Sequence, residues 1–159
     1  MISHGLSAIA KLRENREKNA RMELEKRNRL RNSAYDAVRE VRLELRLRVA
    51  KLGAEDAKFY NGVSGKALSV NELGRACASI ERGRAEVGQL REKGAQMRLA
   101  ATEADVALSE ARRSHAALFR AKQKTAHLIE REWEKAGLEE ASLEELLIEE
   151  EARQGRGNI

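Results

Sequence analysis

Proline is absent from this 159-residue chain, so nothing in it sterically breaks a long helix, and only glycine and turn residues can punctuate one. Aromatic residues make up 3% of it and hydrophobic residues 42%, many of them alanine. With so few large side chains there is no material for a thick globular core. Cys77 is the sole cysteine, which excludes a disulfide framework within the chain and points to a reducing compartment. No apolar run approaches the roughly 18 residues that suggest a membrane span. The opening Met1-Ile2-Ser3-His4-Gly5-Leu6 lacks the apolar core of a secretory signal. The expected setting is the cytoplasm.

Catalytic groups are equally sparse. His4, His115 and His127 have no metal-ligand spacing with Cys77 or with paired carboxylates. Gly62-Val63-Ser64-Gly65-Lys66 lacks the spacing and the preceding strand of a phosphate-binding loop. Cys77 falls beside an apolar stripe, where it serves as a small apolar residue. The expectation is a protein without enzymatic activity, cofactor or metal.

What the chain does hold is charge, at 36% of residues, together with abundant Ala, Leu, Glu, Lys and Arg. That is the composition of long helices that bury a narrow seam. The net charge of +5 is uneven: residues 1–60 carry 15 Lys/Arg against 9 Asp/Glu, residues 61–136 carry 14 against 10, and residues 137–159 carry 2 against 7. A basic body with an acidic tail suits partners of unlike surface at different places.

Periodicity predicts two helices. Leu30, Ala34, Val38, Val41, Leu45, Val49 and Leu52 follow an eleven-residue pattern. Upstream, Ile2, Leu6, Ile9, Leu12, Ala20 and Leu24 continue the stripe, with Arg16 and Arg27 interrupting it. The first helix is therefore expected over 4–60 and a turn over 61–68, where Asn61-Gly62-Val63-Ser64-Gly65 is the densest turn signal. Ser69 and Glu72 form a capping box, with Leu68 and Leu73 at the positions of a hydrophobic staple. From Leu73 a heptad runs for about nine repeats. One register is Leu73, Ile80, Val87, Gly94, Ala101, Leu108, His115, Lys122, Ile129 and Ala136; the other runs from Ala76 through Gly83, Leu90, Met97, Ala104, Ala111 and Leu118 to Thr125. Gly137 is the natural stop for a second helix over 69–136.

The fold class is thus all-α, a long two-helix antiparallel coiled-coil hairpin over 1–137, followed by an acidic tail over 138–159 that is partly helical or disordered. Ser142 and Glu145 offer a second capping box within that tail, and Gln154–Ile159 read as disordered. Pairing 60 with 70 would place Leu12 near Leu118 and Ile2 near Ile129, leaving Trp133 beyond the paired region.

Lys11–Arg31 contains nine Lys/Arg and four Glu. Part of this is a solvated face with Glu14–Lys18 and Glu17–Arg21 pairs at i, i+4. Because Arg16 and Arg27 interrupt the apolar stripe, the stretch also suits a docking surface for an acidic protein, with Arg13, Arg16, Arg21 and Arg27 as candidate partner-binding residues. Trp133 is either a lid on the open end of the coiled coil or an exposed anchor for a partner. No aromatics interleave the basic residues for base stacking. A basic nucleic-acid-binding hairpin arm and a self-associating coiled-coil scaffold stand as alternatives.

Several segments resemble the YscO/FliJ family, the coiled-coil stalk proteins of type III secretion systems. Leu12-Arg13-Glu14-Asn15-Arg16-Glu17 with Ala20 is similar to that family's opening basic helix, and Leu68-Ser69-Val70-Asn71-Glu72-Leu73 to its second-helix start. The stretch from Ile80 through Leu90-Arg91-Glu92-Lys93-Gly94-Ala95 is similar to its central region, and the Glu-rich end to the tail of its injectisome branch. Phe59-Tyr60 stand where some members carry a Trp-containing pair. The resemblance implies a monomeric, non-enzymatic stalk, peripheral at the inner membrane. Its partners would be the hexameric secretion ATPase, the cytoplasmic domain of the export-gate membrane protein, and export chaperones, with no nucleic acid.

Overall fold

A run of strong helix formers without proline has little reason to stop, and among the described residues one segment stops it. A computed structural model describes the backbone of residues 4–156 and the side chains of residues 4–150. It contains two helices, α1 (His4–Val63) and α2 (Val70–Arg156), and the described residues form no strand. At the end of α1, the Ser64 amide donates to the Tyr60 carbonyl at 3.2 Å and the Lys66 amide to Val63 at 3.1 Å. Gly65 takes a φ of 82°, the left-handed conformation that glycine adopts without steric cost.

Ser69 then caps α2 as expected. Its hydroxyl accepts from the Glu72 amide at 3.3 Å, and Glu72 Oε2 accepts from the Ser69 amide at 3.0 Å and its hydroxyl at 2.8 Å. These donors hold the Glu72 carboxyl below its usual range, the Ser69 amide foremost. Leu68 and Leu73 both remain exposed.

The chain divides into two compact units, Met1–Leu24 with Ala111–Ile159, and Glu25–Glu110. Within each, α1 and α2 pack antiparallel. In the Glu25–Glu110 unit, Val41 and Val87 are buried, and Gly94 lies against Val41. Pairing 60 with 70 would have set Val41 opposite Gln89, so the register differs from the expected one by about five residues. Part of the reason is that α1 runs three residues past Tyr60, moving the fold-back point to residues 64–69. Leu12 is exposed rather than facing Leu118, and Ile2 lies outside the described residues.

The inward face of α2 is the predicted heptad, half-buried or buried from Ala76 to Ile129. That of α1 keeps Ala34, Val38, Val41, Leu45 and Leu52 of the stripe predicted from Leu30 to Leu52 and replaces its other two positions. Its inward positions alternate strictly by three and four through Arg31, Ala34, Val38, Val41, Leu45, Arg48 and Leu52, while Leu30 and Val49 are exposed. Upstream, Leu6, Ala20 and Leu24 are half-buried as predicted, while Ala10 and Arg13 face inward in place of Ile9 and Leu12. Two helices that share a seam need the 3.5-residue period on both sides, and α1 meets that requirement by accepting charged residues into it.

Gly137 does not end α2, which continues through the second proposed capping box to Arg156. A single helical glycine costs about 1 kcal/mol relative to alanine, and Ala136, Leu138, Glu139 and Glu140 around it favour the helix. The disorder expected over Gln154–Ile159 is replaced by helix as far as Arg156, and residues 157–159 lie outside the described residues. No described helix is long and apolar enough to cross a membrane.

The seam glycines give a direct test of this packing. A Cβ added at Gly94 would lie 3.6 Å from Val41 Cγ1, an ordinary contact, whereas one at Gly83 would lie 2.5 Å from Leu52 Cδ1. Gly94→Ala is therefore expected to raise stability by about 0.5–1 kcal/mol through helix propensity. Gly83→Ala has to displace Leu52 and should fall short of that gain. Thermal melts of the two variants by circular dichroism check the order.

The charged seam and the exposed basic face

Arginine at an inward helix position must find acceptors there, because a buried unpaired charge is strongly destabilising. Arg13, one of the candidate docking residues, does so. Its Nη1 donates to the Ala121 carbonyl at 2.8 Å and to Thr125 Oγ1 at 2.6 Å. Thr125 is 2% exposed and its hydroxyl donates back to Ala121 at 3.1 Å. Arg13 is thus a seam residue.

One turn further along α1 sits a group that the charge pattern alone did not single out. Glu17 is 2% exposed. Its carboxylate meets Arg21 Nη2 at 2.9 Å, His115 Nε2 at 3.0 Å and Lys122 Nζ at 3.3 Å. The His115 hydrogen bond, then that from Arg21, outweighs the cost of burial, and Lys122 adds to them, so the Glu17 pKa falls from its ordinary 4.5 to about 2. An ionised carboxylate only accepts hydrogen bonds, so His115 presents Nε2–H to it. The His115 ring also stacks on Phe119, with centroids 6.2 Å apart. The expected Glu17–Arg21 pair exists, but its acidic member is buried in the seam rather than lying on a solvated face.

This arrangement is compatible with one register only. Sliding α2 by a heptad would bring Leu108 or Ile129 to Glu17 in place of His115 or Lys122. A polar residue at a seam position fixes alignment in this way, at a cost in stability. The signal for it lay in the heptad of α2: His115 and Lys122 interrupt an otherwise apolar seam and call for a facing acceptor, which Glu17 supplies.

The Glu25–Glu110 unit repeats the device. Arg31 Nε contacts Asp105 Oδ1 at 3.0 Å, its guanidinium lies 4.5 Å from the centre of the Tyr35 ring, and the Tyr35 hydroxyl donates to the second Asp105 oxygen. Asp105, followed by burial, raises the Tyr35 hydroxyl above its ordinary 10. Nearer the turn, Arg48 Nε meets Glu86 at 2.5 Å and Nη1 approaches Glu55 at 3.6 Å.

The remaining candidates separate. Arg16 is exposed and stands off the seam it was expected to interrupt. Arg21 keeps an exposed side chain while pairing with Glu17. Arg27 is half-buried, engaged, and belongs to the other unit. Trp133 does not close the helix pair, being 63% exposed. The four arginines therefore do not make one face. In the unit that holds Arg16, the exposed basic residues of α1 include Lys11 and Lys18. Cys77 is free and exposed rather than packed at the seam. Among the described residues no group of three His, Cys, Asp or Glu is placed to hold a metal ion. Searches against protein-family models, curated proteins and solved structures return no match to this chain.

Proposed function

We propose that this chain works by binding other proteins, as the non-enzymatic stalk of a type III secretion export apparatus. It would insert into the hexameric export ATPase, peripheral to the inner membrane on its cytoplasmic side. There it would link the ATPase to the cytoplasmic domain of the export-gate protein and to export chaperones. One observation carries this reading. The fold pairs the charges inside its seam, Arg13 and Glu17 among them, and leaves Lys11, Arg16 and Lys18 exposed on α1. Exposed cations on a two-helix hairpin are available to an acidic partner surface. The partner's identity rests on the resemblance of Leu12–Glu17, Leu68–Leu73 and Ile80–Ala95 to the YscO/FliJ stalks.

Arg16 is the position to test, because reversing Arg13 would also break the seam. Arg16→Glu is expected to abolish stimulation of the ATPase hexamer while helicity is retained, since an exposed helix position tolerates any good helix former. Stimulation by the unmodified chain should weaken with salt, as exposed charges are screened over about 8 Å at physiological ionic strength. No stimulation by the unmodified chain, or full stimulation by the variant, contradicts the stalk. A steeply salt-dependent affinity for nucleic acid that the reversal removes would assign the basic face to the alternative.

A further inference from the structure

The inward register of α2 does not stop where its burial stops. Ile129 and Ala136 are half-buried, and the same repeat continues to Leu143, with Leu146 in the companion register. Leu143, Leu146, the adjacent Leu147 and Trp133 are 58–63% exposed. From Gly137 to Glu150 every side chain is exposed, and the charged residues are six glutamates with no cation. Glu140 and Glu144, like Glu145 and Glu149, stand four apart on the helix, where like charges repel. Glu139 and Glu140 separate the Trp133–Ala136 and Leu143–Leu147 groups. This segment continues an interface that α1 occupies further up, and it carries a charge that favours one kind of occupant.

We propose that this face of α2, centred on Leu143, Leu146 and Leu147, docks a basic amphipathic helix from another polypeptide. Leucines of that helix would extend the seam, and its Lys or Arg residues would meet Glu139, Glu140 and Glu144. A second copy of this segment would set glutamate against glutamate, and an anionic lipid surface would repel it. The site goes beyond the Arg16 surface, and its test reads no ATPase, so either proposal can fail without the other.

Trp133, the only tryptophan, sits at the edge of the patch and reports on it. The full chain is titrated with a synthetic Trp-free peptide of about 21 residues, three heptads with leucine at the seam positions and Lys or Arg beside them. Saturable binding with a blue shift of Trp133 emission is expected. The double variant Leu143→Ser/Leu146→Ser should bind about tenfold or more weaker, with unchanged helicity because both positions are exposed. A peptide of the same charge with glutamine for leucine should be weakened similarly. Three results overturn the proposal: no saturable binding, equal binding by the leucine-free peptide, or equal binding by the double variant. Sedimentation showing that the unmodified chain, but not the variant, dimerises without peptide would make a second copy the occupant and also overturn it.

Discussion

Leu108→Ala is expected to lower the free energy of unfolding by about 2–3 kcal/mol, read from urea denaturation followed at 222 nm. Leu108 is 5% exposed at a heptad position of α2, and few large apolar side chains are buried as well. Truncation removes most of its buried apolar area and leaves a gap that the facing helix closes only in part. The loss falls at the lower end of the range for globular cores because a two-helix seam is open to water along both edges. A change within about 0.5 kcal/mol, ordinary for surface substitutions, would mean that the inward face of α2 is not the one that holds the helices together.

Glu17→Gln is expected to destabilise the protein at neutral pH far more than Glu14→Gln, an exposed neighbour on the same helix. Glutamine fills the space but leaves His115, Lys122 and Arg21 facing no anion. The pH dependence follows from linkage. The folded-state pKa of Glu17 is depressed from 4.5 to about 2, so its contribution is fully present above the unfolded-state value. It is lost as the pH falls from about 4.5 towards 2. The melting temperature of the unmodified protein should drop across that window and that of Glu17→Gln should drop less, so the two converge in acid. Glu72, also depressed by its cap, keeps some acid sensitivity in the variant. A difference between the two proteins that stays constant from pH 7 to pH 2 would remove the charge from the explanation and leave only shape.

The charged seam also accounts for which parts of the structure were legible beforehand. The capping box at Ser69 and Glu72 is a local pattern, complete within four residues, and it forms as read. The heptad of α2 is apolar enough from Ala76 to Ala111 to declare its own inward face. In α1 the apolar pattern marks Ala34, Val38, Val41, Leu45 and Leu52 correctly but points to Leu30 and Val49, where the structure turns Arg31 and Arg48 inward. Partners within α1, Arg21 for Glu17, Tyr35 for Arg31 and Glu55 for Arg48, supply only part of what makes a charge acceptable there. Asp105 and Glu86 supply the rest for the arginines and His115 and Lys122 for Glu17, all on the other helix. Arg13 was assigned to a docking surface for the same reason, its acceptors at Ala121 and Thr125 being more than a hundred residues away.

By itself, then, the sequence determined that the chain forms two helices, to within a few residues where it turns back, and which face of α2 is buried. These follow from the absence of proline, from short-range turn and cap chemistry, and from a repeat that needs no partner to be seen. The tertiary structure decided the register of the pair, the charged positions on the inward face of α1, and the division of its arginines between seam and surface. Those depend on which charge stands opposite which. A buried carboxylate such as Glu17 is stable only when groups distant in sequence surround it, and that arrangement exists only once the two helices are in place.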